Sequence, residues 1–124
     1  MKAFTFIMAA AVLMIAACSK EPVSTVQITL SEFEITTSSD QLQAGSVDLS
    51  ITNDGDEAHV LLIEGVDGAV IAGHGPVSAG ETVQLKVDLA PGLYLFTCRM
   101  VEIEEGEMED HAEIGMSKNL SVTG

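Results

Sequence analysis

The stretch Thr82-Val83-Gln84-Leu85-Lys86-Val87-Asp88-Leu89-Ala90-Pro91-Gly92-Leu93-Tyr94-Leu95-Phe96-Thr97-Cys98 contains two strand patterns joined by a turn. Val83, Leu85, Val87 and Leu89 alternate with Thr82, Gln84, Lys86 and Asp88, the period of a strand with one buried face. Pro91-Gly92 then turns the chain into a second apolar run that ends at Cys98. The same signature recurs upstream. Val26, Ile28 and Leu30 alternate with Gln27, Thr29 and Ser31; Val47, Leu49 and Ile51 alternate with Ser46, Asp48, Ser50 and Thr52. Asn53-Asp54-Gly55-Asp56 breaks the pattern before the apolar run His59–Glu64, which suits a central strand, and Asn119–Thr123 supplies a last one. No convincing amphipathic helix interrupts them, and 65–80 and 99–118 are the longest segments without a pattern. Short strands with turns at regular intervals predict an all-β, Greek-key β-sandwich over 26–124. Periodicity does not give the strand order.

The N-terminus has a different character. Met1-Lys2 is followed by the apolar run Phe4–Ala17, interrupted only by Thr5. As a helix it would reach about 21 Å, short of the ~30 Å hydrocarbon core, so it fits a signal-peptide helix better than a stable span. Ile15-Ala16-Ala17-Cys18, with Ser19-Lys20-Glu21-Pro22 after it, resembles a bacterial lipoprotein cleavage box. The resemblance implies removal of 1–17, lipidation of Cys18 and a short tether over 18–25. It also implies an extracytoplasmic, membrane-anchored protein, on the periplasmic face of the outer membrane if the source is Gram-negative. More than one buried acyl chain makes such attachment stable.

Processing would leave 107 residues, enough for one domain, with four basic against nineteen acidic residues and a net charge of −15. Such a surface repels nucleic acid and anionic headgroups, and attracts basic partners. Lipidation would consume Cys18 and leave no second cysteine to form a disulfide with Cys98 in an oxidising compartment. At this point Cys98 is either a small core hydrophobe or a metal thiolate.

Several motifs in chain order carry a more specific resemblance. Gly92-x-Tyr94-x-Phe96-x-Cys98, the turn Ser78-Ala79-Gly80-Glu81-Thr82, the spacing Asn53-x5-His59, and His111-Ala112-Glu113-Ile114-Gly115-Met116 resemble the cupredoxins of the plastocyanin and pseudoazurin type. The resemblance covers 26–124. It implies a single type 1 copper ion held by His59, Cys98, His111 and Met116, in a one-electron carrier expected to act as a monomer. A trigonal His2Cys set with a weak axial methionine is the blue-copper donor pattern. The family also places the C-terminal histidine at the surface, so His111 would be the electron exit and His59 the more buried ligand. A redox partner with a basic docking surface, such as a cytochrome, is expected.

Two features depart from the pattern. Twelve residues separate Cys98 from His111, where small cupredoxins have two to four, and six of the twelve are carboxylates: Glu102, Glu104, Glu105, Glu107, Glu109 and Asp110. Val60 follows His59, where these proteins usually carry a polar residue bonded to the ligand loop. The acidic segment is read either as a cover over the copper or as a solvated loop. Met100 and Met108 are read as loop packing residues, or else as thioether sites for Cu(I) in transit, and His74 as an exposed loop histidine. Copper delivery or sequestration, and a metal-free interaction domain, are the alternatives to electron transfer. Catalysis is not expected: there is no nucleophile–base constellation or phosphate-binding glycine loop, and 107 residues leave no room for a second copper centre.

Overall fold

The computed structural model describes residues 22–124, apart from the side chains of Glu102 and Glu104. The expected leader, the lipidation site Cys18 and the first part of the tether, residues 19–21, therefore lie outside the described residues. What remains is all β. In chain order the strands are β1 (Thr25–Ser31), β2 (Glu34–Thr37), β3 (Gln41–Gln43), β4 (Gly45–Asn53), β5 (His59–Gly65), β6 (Val70–Val77), β7 (Thr82–Leu89), β8 (Gly92–Thr97), β9 (Val101–Glu104), β10 (Glu107–Asp110) and β11 (Ser117–Thr123). No helix among the described residues is long and apolar enough to cross a membrane.

Two sheets form the sandwich, one ordered β2-β1-β4-β7 and the other β3-β11-β8-β5-β6. β1 runs parallel to β4, and β3 parallel to β11. The chain leaves the first sheet after β2 to place β3 in the second and returns for β4, one of the crossings between sheets in this Greek-key sandwich. The alternating residues do what their period requires: Val26, Ile28, Leu30, Val47, Leu49 and Ile51 point inward from one sheet to meet Leu61, Ile63, Phe96, Leu120 and Val122 from the other. Pro91-Gly92 is secured by the Tyr94 hydroxyl, which donates to the carbonyl of Ala90 at 2.7 Å, a tyrosine corner.

The two segments without a sequence pattern contain strands. Residues 70–77 form edge strand β6, so His74 is a half-buried strand residue opposite Leu61, and not a loop histidine. Residues 101–110 form the β9–β10 hairpin, a separate two-stranded sheet. Its turn is Glu105-Gly106, with φ of 51° and 85°, the paired left-handed conformation that matches strand twist.

The register gives the sandwich two distinct poles. β5 begins at His59, β8 ends one residue before Cys98, and β11 begins one residue after Met116, so the predicted ligands gather at one end. At the other end Val23 bridges to Leu42, which also pairs with Val122 beside Gly92. The ordered sheet thus includes part of the stretch read as tether, and the chain enters the fold at the pole opposite the ligands.

Candidate metal centre

Each of the four predicted residues is held by backbone geometry that its neighbours enforce. Asn53, fully buried at the end of β4, organises the loop before His59. Its amide donates to the carbonyls of Glu57 at 2.6 Å and Val77 at 2.8 Å, and its Oδ1 accepts from Gly55 N–H at 2.9 Å. This gives the Asn53-x5-His59 spacing a physical content. One side chain satisfies three backbone groups and fixes where β5 starts.

His59 and His111 are both wholly buried. The ring of His59 places Nε2 3.2 Å from Glu32 Oε1, while its Nδ1 has no hydrogen-bond partner. Leaving a buried polar atom unsatisfied costs about 1–3 kcal/mol, so that nitrogen calls for an explanation. It is supplied by the neighbours. His59, Cys98 and His111 each offer one ligand atom, and these atoms lie within 4.8 Å of one another. Cys98 Sγ sits 3.8 Å from His111 Nδ1, and the two imidazole centroids are 5.3 Å apart. Met116 is fully buried in the same core; its N–H donates to the His111 carbonyl at 3.0 Å and its carbonyl accepts from Cys98 N–H at 3.2 Å. Two buried imidazoles and a buried thiol, with their ligand atoms this close together, fit copper.

Val60 lacks a polar side chain, but its backbone N–H donates to Cys98 Sγ at 3.4 Å. The link between the first histidine strand and the cysteine therefore exists without the expected side chain. The long Cys98–His111 interval is also resolved. Met100 O accepts from His111 N–H at 3.0 Å, closing the base of the β9–β10 hairpin. With the hairpin set aside as an excursion, only Arg99 and Met100 separate the two ligands, the short spacing of a small cupredoxin.

One expectation needs correction. His111 was to present its edge to solvent, yet it is as buried as His59. Phe33 covers it, ring to ring at 4.9 Å and 70°, from the two-residue β1–β2 turn, where Phe33 adopts φ 60°. Glu57 Oε2 lies 3.9 Å from His111 Nε2 on the remaining side. The acidic segment, in turn, is a hairpin and not a patternless loop: Ile103 and Met108 are about three-quarters exposed, while Met100 packs against the core.

Two side chains at the ligand cluster, Glu32 and Phe33, and a third further along β5, Glu64, carry no local signal in the sequence. Glu32 and Phe33 sit in a turn whose approach to the ligand loop is purely tertiary. The backbone N–H of Glu57 is the largest influence holding the Glu32 carboxyl below its ordinary value; burial opposes it, and hydrogen bonds from His59 and Asp56 add to it. Glu64 is buried on β5 and receives a bidentate pair from Arg99, Nε–Oε1 at 2.6 Å and Nη2–Oε2 at 3.1 Å. That hydrogen-bonded pair lowers the Glu64 pKa against the opposing push of burial and raises that of Arg99. It also ties the residue after Cys98 to the sheet.

Several solved structures share this fold. Dithionite-reduced auracyanin from Roseiflexus castenholzii superposes with a TM-score of 0.60 at 16% identity, covering 84% of this chain and 100% of that one. Auracyanin A from Chloroflexus aurantiacus, described as a "blue" copper protein, gives 0.57 at 19% identity, with 83% and 100% covered. A multicopper oxidase from Campylobacter jejuni, described as a metallo-oxidase, gives 0.58 at 18%, covering 89% of this chain but 32% of that one. At such identities the likeness is one of fold. No curated protein sequence matches the chain. The model of the cupredoxin-like domain matches residues 3–108, stopping short of His111 and Met116, which the fold itself brings to Cys98. The chain belongs to the cupredoxin-like domain family.

Proposed function

We propose that this chain is a lipid-anchored, extracytoplasmic protein that holds one copper ion in a type 1 site and carries single electrons. The observation that supports it most is the convergence of His59, Cys98 and His111 ligand atoms within 4.8 Å, around a His59 Nδ1 that nothing else satisfies. His59 Nδ1, His111 Nδ1 and Cys98 Sγ would hold the ion, with Met116 as the weak fourth donor. Bound copper would supply a one-electron couple. The chain supplies the rest. Val60 N–H withdraws charge from the thiolate, Phe33 excludes water from His111, and strand ends fix the donors before metal arrives, which limits rearrangement between oxidation states. The description of auracyanin A as a blue copper protein supports the same reading.

The poles fit an anchored carrier. β1 runs from the pole where the chain enters toward the ligand pole, and seven residues of strand span roughly 23 Å. A tether at Cys18 would hold the far pole to the bilayer and point the site away from it. The partner would be a redox protein with a basic docking surface, such as a cytochrome, meeting the carboxylates that fringe the site. The chain spans about a third of the multicopper oxidase whose fold it shares, and no catalytic role is proposed. Electron exchange with a basic cytochrome, followed by stopped flow, should be fast and should slow steeply as ionic strength rises. Slow, salt-insensitive exchange, together with ready transfer of Cu(I) to an acceptor, would favour copper delivery instead. The buried His111 and the exposed Met108 are the features that make delivery the second reading.

A further inference from the structure

Glu32 is built into the ligand loop more tightly than a surface carboxylate needs to be. Its Oε1 accepts from the backbone N–H groups of Asp56 at 2.8 Å and Glu57 at 2.9 Å, and lies 3.2 Å from His59 Nε2. A Cβ at Gly55 would collide with this carboxylate, so the absence of a side chain there makes the space that Glu32 fills. The carboxylate thus sits in a cradle of two amides and a glycine, with the imidazole as its third partner. An ionised carboxylate only accepts hydrogen bonds, so the nitrogen facing it must carry the proton. In a neutral imidazole the other nitrogen, Nδ1, is then a bare lone pair, and Nδ1 is the buried His59 nitrogen left without a hydrogen-bond partner beside the cluster with Cys98 and His111.

We infer that Glu32 is a positioning residue for the metal centre: it locks His59 in the Nε2–H tautomer and in the ring orientation that presents Nδ1 to the ion. The inference rests on the copper reading for its consequence but not for its geometry. A carboxylate behind a ligating histidine fixes the ring and raises its donor strength, and loss of such a partner typically weakens metal affinity about 10–100-fold. Glu32 comes from the β1–β2 turn, so the same contact couples that turn, and Phe33 within it, to the loop from Asp54 to Ala58.

The test uses the intact chain in two states. In the metal-free protein under mildly alkaline conditions, nitrogen-15 NMR of the histidine side chains should report His59 as a single Nε2–H tautomer. In Glu32→Ala the two tautomers should mix. Copper(II) affinity, measured by competition with a chelator, should fall about 10–100-fold in the same variant. Gly55→Ala, which evicts the carboxylate without altering it, should reproduce both effects. Asp56→Asn removes a neighbouring charge but leaves its N–H in place, and should change neither. An unmixed tautomer in Glu32→Ala would overturn the inference, as would an equal loss of affinity in Asp56→Asn. If the wild-type chain binds no copper, the function proposed above fails, yet the tautomer measurement still decides the role of Glu32.

Discussion

Replacing Arg99 with alanine should destabilise the metal-free protein by about 2 kcal/mol, although Arg99 lies on the surface. The side chain of Glu64 is only 4% exposed, and Arg99, 53% exposed, is the partner that satisfies both of its oxygens. Removing one member of a fully buried pair costs about 3–5 kcal/mol, because the other is left charged and unpaired. Here water can enter the space that Arg99 vacates, which reduces the penalty to about 2 kcal/mol. For a domain of this size that corresponds to a fall of roughly 8–16 °C in Tm. Urea and thermal unfolding by circular dichroism read both quantities. Glu64→Gln in the Arg99→Ala background should restore about 1 kcal/mol, since a neutral amide is cheaper to bury than a lone carboxylate. The pH dependence has a definite sign. Arg99 lowers the Glu64 pKa, so the pair's contribution is present above the ordinary value of 4.5 and is lost as pH falls through the lower, folded-state value. The gap between wild type and Arg99→Ala should therefore close in acid. A loss below about 0.5 kcal/mol at neutral pH, the level of an ordinary surface substitution, would refute the reasoning.

Two further predictions address access and orientation. Phe33→Gly relieves a left-handed backbone conformation worth about 1–2 kcal/mol but uncovers His111, so copper should pass to an external chelator several-fold faster; an unchanged rate would mean that Phe33 is not the cover. The sequence contains no tryptophan, so Leu93→Trp at the pole where the chain enters and Ile103→Trp at the ligand pole are clean fluorescent reporters. In lipidated protein on vesicles, brominated lipid should quench the first more than the second. Equal quenching would contradict the orientation, whereas failure to stay on vesicles would contradict the anchor.

The alternating strands could be read because one face of each is buried and the other wet. Val26-Ile28-Leu30 and Val47-Leu49-Ile51 carry that contrast in every second residue. β6 could not be read. Val70-Ile71-Ala72-Gly73-His74-Gly75-Pro76-Val77 is an edge strand, mostly exposed on both faces, so no period is imposed on it. β2 and β3, of four and three residues, are too short to display one. The site was legible in its donors but not in its surroundings. The His59, Cys98, His111 and Met116 motifs stand out by residue type, and the three that carry nitrogen or thiol donors do converge. The twelve-residue interval looked like an obstacle because linear spacing cannot reveal that Met100 and His111 are hydrogen-bonded across the base of a hairpin. Glu32 and Phe33 carry no local signal. Their importance comes from the β1–β2 turn arriving beside a loop more than twenty residues away.

The proposed type 1 site requires Cys98, His59 and His111 to be copper ligands and Cys98 to bind as a thiolate. The most direct measurement is the visible and electron paramagnetic resonance spectrum of the chain loaded with one equivalent of Cu(II), beside that of Cys98→Ser. Such a site gives an intense thiolate-to-copper charge-transfer band, bleached reversibly on reduction and absent from Cys98→Ser. Weak ligand-field absorption alone, with copper binding unchanged by Cys98→Ser, would contradict it.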